Sequence, residues 1–223
     1  MPKIVNRHNA PYPFVHYASQ SHYNMGDADY SVTTLIDSPQ IASLQRKFPS
    51  EEEIDPFESK NLWSLVGTAI HHIMEQSPDV TSENGEPTAF IKEERVTTEY
   101  NGYRITGGID LITTTESEGR INCVIGDYKF TTVYSAGSSE TIEKYEAQLN
   151  LYRWILEREK ALVVTGLQVY AILRDWKPSM LKTFKDYPDA PGQTIEIPMW
   201  NNERLQDYVD QRLQAHLDAR ALV

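Results

Sequence analysis

Two charged side chains follow a short apolar strand in the segment CVIGDYKFT, residues 123–131, and they are the first candidates for chemistry. Because side chains alternate along a strand, Asp127 and Lys129 share one face and Tyr128 points to the other. A buried charge needs a partner. The residues allow two interpretations: a salt bridge at a strand end, or a metal ligand beside a cationic catalytic group. The pattern Asp-x-Lys is too common to decide between them.

A second carboxylate, Asp110, lies in the apolar segment TGGIDLI, residues 106–112, after two consecutive glycines. Glycine weakens a strand, but it lets another group approach the backbone closely. The alternative interpretation is a β-bulge in the sheet. In either case, a carboxylate within an apolar strand requires a partner for its charge.

Asp110 and Asp127 fall on strands that are predicted to be neighbours. Two converging carboxylates without a counter-ion repel each other, and one of them then becomes protonated. Mg²⁺ or Mn²⁺ resolves this repulsion, because hard divalent ions favour carboxylate oxygen as a ligand. Lys129, beside such an ion, would orient a water molecule or stabilise charge that develops on a phosphate.

Two helical segments carry further polar candidates. In VGTAIHHIMEQ, residues 66–76, His71 lies four residues after Gly67, and in EAQLNLYRW, residues 146–154, Gln148 and Tyr152 share a helix face. Taken alone, the histidine is more often an ordinary core or surface residue. The Gln148–Tyr152 pair alone is equally consistent with the edge of an amphipathic helix.

The composition limits the class of protein. The 223 residues contain 40% hydrophobic residues, which is enough for a core, and a single cysteine, which excludes an internal disulfide and a multi-cysteine zinc or iron–sulfur site. The formal net charge of −11 argues against a generally basic nucleic-acid binder, but it does not exclude an enzyme acting on DNA. No signal peptide and no membrane-spanning run is present, which favours a cytoplasmic protein without membrane contact.

Hydrophobic periodicity and turn residues predict a defined order of elements. Residues 31–48 are expected to form two short helices, the first capped by Ser31 or Thr33 and the second opened by Ser38 and Pro39, with Leu35, Ile36, Ile41 and Leu44 on the apolar face. The further predictions are a helix at 58–77, a hairpin of 88–100 and 103–115 turning at Asn101–Gly102, a strand at 120–132, a flexible loop at 135–140, a helix at 141–160, a strand at 166–176, weaker strands near 179–185 and 193–198, and a helix at 201–222.

This order predicts an α/β (α+β) fold in which helices flank a mixed central sheet. Residues 1–30 lack clear periodicity, and they are expected to form an extended or loosely structured N-terminal arm. Residues 31–223 are expected to form one domain.

Four short motifs occur in a characteristic order: GTAIH, GGID, IGDYK and QLNLY. In this order and spacing, residues 31–175 resemble the RecB-like exonuclease branch of the PD-(D/E)XK nuclease superfamily, which also includes Cas4-type and many phage exonucleases. The segment SVTTLIDSP is similar to the N-terminal S-x-T-x-L-x-x-C-P element of that branch. Ser38 stands where iron–sulfur members have a cysteine, so no iron–sulfur cluster is expected.

The resemblance implies a restriction-endonuclease-like core and a role for each matching residue. It assigns His71, Asp110, Asp127 and the backbone carbonyl of Tyr128 to the metal. Lys129 matches the catalytic lysine, and Gln148 and Tyr152 match a motif that supports the site and the DNA. Glu93 or Glu94 is an additional acid that the resemblance does not align firmly.

The implied function is a Mg²⁺- or Mn²⁺-dependent DNA exonuclease acting in recombination, repair or DNA degradation. As a stand-alone, phage-type enzyme, it would act in the host cytoplasm if phage-encoded, as a homo-oligomer or with a recombination partner. Two alternatives are a DNA-binding accessory protein with a degenerate nuclease site and a different metal-dependent phosphoesterase.

Overall fold

The structure is a computed structural model that describes residues 3–20, 25–48, 53–83, 86–117, 120–160 and 162–222. Its elements in chain order are β1 (Lys3–Ile4), α1 (Tyr12–Ser19), β2 (Tyr30–Ser31), α2 (Val32–Ile36), α3 (Pro39–Lys47), β3 (Glu53–Ile54), α4 (Ser59–Glu75), β4 (Val80–Glu83), β5 (Glu86–Tyr100), β6 (Tyr103–Ser117), β7 (Arg120–Thr131), α5 (Val133–Gly137), α6 (Ser139–Glu159), β8 (Val163–Leu173), β9 (Gly192–Glu196) and α7 (Asn202–Ala221).

A mixed sheet forms the centre of the fold, as the sequence predicts. Six strands follow the order β4-β5-β6-β7-β8-β9, and all neighbours are antiparallel except β7 and β8, which are parallel. The short β2 pairs in parallel with β6. A parallel pair needs a crossover connection, and α6 supplies it between β7 and β8.

A two-residue turn sets the register of the β5–β6 hairpin. Asn101 and Gly102 both have positive φ, 51° and 79°, as a type I′ turn requires. The pairing runs from Tyr100 opposite Tyr103 outwards, and it places Arg95 opposite Gly108. Glu93, which comes next on the same face as Arg95, therefore lies opposite Asp110.

The sheet opens in its middle, between β6 and β7. The β6–β7 ladder ends with Leu111 opposite Gly126, while β7 continues beside β8 as far as Thr131. On the side that β7 leaves, β2 pairs with Ile105 and Thr106 of β6. Within the described part of the chain, residues 107–110 of β6 thus have no ladder partner on this side. This gap lies beside Asp110 and the end of β7.

The main core lies between the sheet and α6. The helix buries one long apolar face that includes Leu149, Ile155 and Leu156, each at most 1% exposed. This face packs on Ile109 and Ile125 of the sheet. On the other face of the sheet, α4 packs along β7, where Trp63 contacts Phe130 and His71 contacts Tyr128. The two helices therefore approach the gap in the sheet from opposite sides.

The predicted helix starts are confirmed where a polar cap precedes them. The hydroxyl of Ser31 accepts a hydrogen bond from the backbone of Thr34, and Ser38 caps α3 with Pro39 at its first position. The predicted apolar face is only partly correct, because Leu35 is buried whereas Ile41 and Leu44 are 56% and 47% exposed.

Several local predictions are wrong. Residues 135–140 are not a flexible loop, since Thr132 caps α5 and α6 begins at Ser139. The strand predicted near 179–185 is a 3₁₀ helix, Pro178–Lys182, whose first proline favours a helical start. The strand near 193–198 is confirmed by β9, and β4 was not predicted.

The N-terminal segment is more regular than the sequence suggests. Residues 12–19 form α1, which starts after Pro11 and has no buried residue, and β1 pairs with β3. The division into an arm at 1–30 and a domain at 31–223 stays a prediction. No helix among the described residues combines the length and apolar character that crossing a membrane requires.

The buried His216 gives the fold a predicted pH dependence. Burial lowers the pKa of His216, whose ring lies against Tyr30 and whose Nε2 is 3.4 Å from the carbonyl oxygen of Leu35. The unfolded chain therefore binds a proton more readily than the folded chain as the pH falls below about 6.5. In urea unfolding between pH 7.5 and 5.5, wild type should lose more stability than His216→Gln. Equal losses in both proteins would contradict this prediction.

Candidate metal centre and active site

Three side chains from different elements converge at the gap in the sheet. Nδ1 of His71, on α4, lies 3.2 Å from Oε1 of Glu93 on β5 and 3.5 Å from Oδ1 of Asp110 on β6. One ligand atom of each residue lies within 4.8 Å of the others. An imidazole nitrogen with two carboxylate oxygens is a donor set that binds divalent cations.

Glu93 has an unusual backbone conformation for a residue within a strand. Its φ is +50°, in the left-handed region, and the β5–β6 ladder skips it between Lys92 and Glu94. Such a conformation in a non-glycine residue costs on the order of 1–3 kcal/mol. In this conformation, the Glu93 carboxylate lies within 3.2 Å of Nδ1 of His71.

The sequence left Glu93 and Glu94 as equal candidates, and the structure separates them. Glu94 pairs with Lys160 at 2.9 Å, whereas Glu93 contacts His71 and belongs to the three-residue group. The signal was present in the sequence, because the Asn101–Gly102 turn sets the register. Counting outwards from that turn places residue 93 opposite Asp110.

A second polar group lies on the α6 side of the gap. Asp127 is 1% exposed, and its Oδ2 lies 2.6 Å from Nζ of Lys129. The side-chain amide of Gln148 donates to Oδ1 of Asp127 at 3.0 Å and to the hydroxyl of Tyr152 at 2.8 Å. The Tyr152 ring in turn packs against the backbone at Gly107. The helix α6 thus holds Asp127 in place from behind.

One oxygen in this group has an unused binding capacity. Oδ2 of Asp127 is buried, and among the described residues its polar contact is the ion pair with Nζ of Lys129 at 2.6 Å. A carboxylate oxygen has two lone pairs, so this oxygen can accept one further interaction besides the lysine. His71, Glu93 and Asp110 fit a divalent cation, and the buried carboxylate of Asp127 lies beside them.

The electrostatics of the site also favour the binding of a cation. Burial, and then the repulsion from Asp127, raise the pKa of Asp110 to about 7, although His71 and the Tyr128 amide act in the opposite direction. The hydrogen bond with Glu93 raises the pKa of His71 against the effect of burial, and Asp110 adds to the increase. The site thus holds more negative charge than its one lysine neutralises.

Lys129 stays charged in these surroundings. Burial lowers the pKa of Lys129, but the attraction to Asp127, and further to Asp110, outweighs that effect and raises the pKa above its usual value. The ammonium also lies 5.7 Å from the centre of the Tyr145 ring. A cation is therefore available next to the acidic cluster at neutral pH.

The structure brings most of the predicted site residues into one place. His71 and Asp110 belong to the three-residue group, whereas Asp127 lies beside that group and contacts Lys129 and Gln148. The backbone amide of Tyr128 donates a hydrogen bond to Oδ2 of Asp110 at 2.8 Å, and the Tyr128 ring packs edge-on against His71. The role of its carbonyl as a metal ligand stays a prediction.

Both the sequence and the fold of the chain are similar to those of known proteins. The model of the PD-(D/E)XK nuclease superfamily matches residues 80–221. No curated protein sequence matches the chain. Among solved structures, SSO0001 is 11% identical with a TM-score of 0.52, over 86% of this chain and 78% of that one. A phage-related exonuclease from Haemophilus somnus 129PT is 15% identical with a TM-score of 0.42, over 92% and 90%.

The family match covers more than half of the chain, from β4 to the end of α7. It includes Glu93, Asp110, Asp127, Lys129, Gln148 and Tyr152, while α4 with His71 precedes it. The likeness to SSO0001 supports the fold alone. On this match, the chain belongs to the PD-(D/E)XK nuclease superfamily.

Proposed function

We propose that this protein is a Mg²⁺- or Mn²⁺-dependent DNA exonuclease of the RecB-like branch, acting in recombination, repair or DNA degradation. Nucleases of this superfamily act on nucleic acid with divalent metal ions, and the chain belongs to it. The observation that supports a metal-dependent nuclease most directly is that two polar groups lie beside one gap in the sheet. One group contains His71, Glu93 and Asp110, and the other contains Asp127 and Lys129.

Each side chain has a distinct task in this proposal. When bound, a divalent ion lowers the pKa of a coordinated water and neutralises a phosphate oxygen. His71, Glu93, Asp110 and Asp127 would hold that ion. Lys129 orients the attacking water or donates to the phosphate oxygen on which charge develops in the transition state.

The supporting residues keep the lysine in position. Asp127 attracts the Lys129 ammonium, Gln148 fixes the other oxygen of Asp127, and the hydroxyl of Tyr152 accepts from Gln148. Because the reacting geometry tolerates little displacement, this chain of contacts supports catalysis without touching the substrate. Gln148 and Tyr152 are therefore positioning residues.

Both alternatives from the sequence have less support. A DNA-binding accessory protein with a degenerate site would not need an intact cluster together with the buried Asp127 and Lys129. A metal-dependent phosphoesterase for small substrates would use the same cluster, so its substrate has to be tested directly.

The test is digestion of end-labelled linear DNA, single- and double-stranded, beside closed circular DNA. Each digestion would contain Mg²⁺, Mn²⁺ or a chelator, with Asp127→Asn as the inactive control. We expect metal-dependent loss of linear DNA with circles spared, and the labelled end gives the polarity. Cutting of circles would identify an endonuclease. Hydrolysis of a chromogenic phosphodiester without cleavage of any DNA would favour the phosphoesterase, and no activity at all would favour the accessory protein.

A further inference from the structure

Three glycines in the central strands have a packing reason. A Cβ on Gly107 would lie 2.9 Å from the Tyr152 ring, and one on Gly126 would lie 2.5 Å from the Tyr170 ring. A Cβ on Gly166 would lie 3.3 Å from Val124. At these positions, a neighbouring side chain occupies the space that a larger residue would need.

Gly108 has no such reason. A Cβ on Gly108 would meet no atom of the described residues within 4 Å, and the φ of Gly108 is outside the left-handed region that favours glycine. Glycine within a strand is unfavourable, since it has more conformational freedom to lose and no side chain to pack. The packing of the described residues therefore gives no reason for a glycine at position 108, whereas the close approach of a ligand to the strand would be such a reason.

Gly108 lies where a ligand of the site would pass. It is in the part of β6, residues 107–110, that has no ladder partner on the side of the gap, and it shares a face with Asp110 two residues away. On α4, Gly67 lies one turn before His71 on the same helix face, and a Cβ on Gly67 would also meet nothing within 4 Å in the part of the chain that the structure describes. Both glycines leave space next to the metal group.

Arg95 adds a positive charge to this space. It pairs with Gly108 across the hairpin and lies two residues from Glu93 on the same face, a separation of about 6.8 Å along a strand. Its side chain is exposed, and it forms no ion pair or hydrogen bond with any residue that the structure describes. Among other exposed arginines, Arg7, Arg104 and Arg204 each pair with a carboxylate, Arg46 contacts the Asp29 carbonyl, and Arg174 lies over the Trp63 ring.

We propose that Gly67, Gly108 and Arg95, here called the glycine strip, bind the sugar–phosphate backbone of a single DNA strand. Arg95 binds the phosphate next to the one that is cleaved, and Gly108 lets the strand lie directly on β6. The Arg95 guanidinium has no carboxylate partner among the described residues, and Arg95 lies two residues from Glu93 on the same strand face. Such a group complements a phosphate rather than an uncharged ligand. This inference rests on the proposed nuclease function and adds the path of the substrate.

The test measures DNA binding in a cleavage-deficient background, Lys129→Met, with Mn²⁺ present. A labelled single-stranded oligonucleotide is titrated by fluorescence anisotropy at several salt concentrations. Arg95→Gln should weaken binding about tenfold and reduce the magnitude of the salt slope by about 0.7, the value for one lost phosphate contact on a single strand. Arg46→Gln removes an exposed arginine from α3 and should change neither quantity.

Gly108→Val is the second variant, because valine suits a strand and nothing described occupies the space. It should weaken DNA binding at least tenfold while the melting temperature stays at or above that of the background. If neither Arg95→Gln nor Gly108→Val changed affinity or salt slope, in a protein whose wild type cleaves DNA, the glycine strip would be overturned and the nuclease function would stand. A wild type that neither cleaved nor bound DNA would overturn both.

Discussion

Replacing Lys129 with methionine is expected to reduce DNA cleavage about 10²–10³-fold, the range found when one group that stabilises transition-state charge is removed. The ammonium lies 2.6 Å from Asp127, beside the metal group, and it is the cation of the site. Methionine keeps the length of the side chain and removes its charge. Single-turnover cleavage of a labelled oligonucleotide would measure the loss, and Lys47→Met, an exposed lysine on α3, serves as the matched control.

The same substitution also affects folding, so stability has to be measured separately. Lys129→Met leaves the carboxylate of Asp127 buried without its cation, at a cost on the order of 3 kcal/mol. The double variant Asp127→Asn/Lys129→Met removes both charges and should be more stable than Lys129→Met in urea unfolding. A folded Lys129→Met protein with wild-type cleavage would exclude the catalytic role of this lysine.

Asp110→Asn is expected to stabilise the metal-free protein and to abolish its stabilisation by metal. Without metal at pH 8, the variant should be more stable than wild type, because Asp110 has a pKa of about 7 and is charged in unfavourable surroundings. The sign follows from linkage: the raised pKa costs stability increasingly as the pH rises from about 3.8 to about 7, and fully above that. The advantage of asparagine should therefore vanish toward pH 4.

With Mn²⁺, the order of stability should change. Binding of an ion at about 100 times its Kd stabilises the folded protein by about 2.7 kcal/mol, which raises the Tm of a chain of this size by about 5–10 °C. Wild type should show this increase in a thermal scan, whereas Asp110→Asn and Glu93→Gln should not. Glu94→Gln, which lies next to Glu93 but pairs with Lys160, should keep the increase. An equal increase in Asp110→Asn would exclude Asp110 as a ligand.

Features that depend on local sequence were predictable. The Asn101–Gly102 turn, the polar caps at Ser31 and Ser38, and the alternation around Asp127 each act over a few residues. The motif order adds information that no local signal contains, since it places His71 of α4 and Gln148 of α6 at the same site. In the structure, His71 contacts Asp110 and Gln148 contacts Asp127, on the two sides of the gap.

Features that depend on the divergence of strands were not predictable from the same signals. Nothing in the residues of β6 and β7 marks where their pairing ends, because the end is set by β7 following β8 and by β2 replacing it. For the same reason, the sequence placed Asp110 and Asp127 on neighbouring strands without showing that they approach a gap from opposite faces. The sequence also did not predict the positive φ of Glu93, since a glutamate in a strand normally has a negative φ.

The interruption at Glu93 has a mechanical consequence for the hairpin. The long ribbon of β5 and β6 consists of two separately bonded halves, Ala89–Lys92 and Glu94–Tyr100 on β5, which meet at Glu93. One half carries the edge strand β4, and the other continues to the turn. The metal group therefore lies where the backbone pairing of the hairpin is interrupted. A cation held by Glu93, Asp110 and His71 would link the two halves of the hairpin at this position. Metal binding would then both complete the proposed catalytic centre and reduce the flexibility of the hairpin.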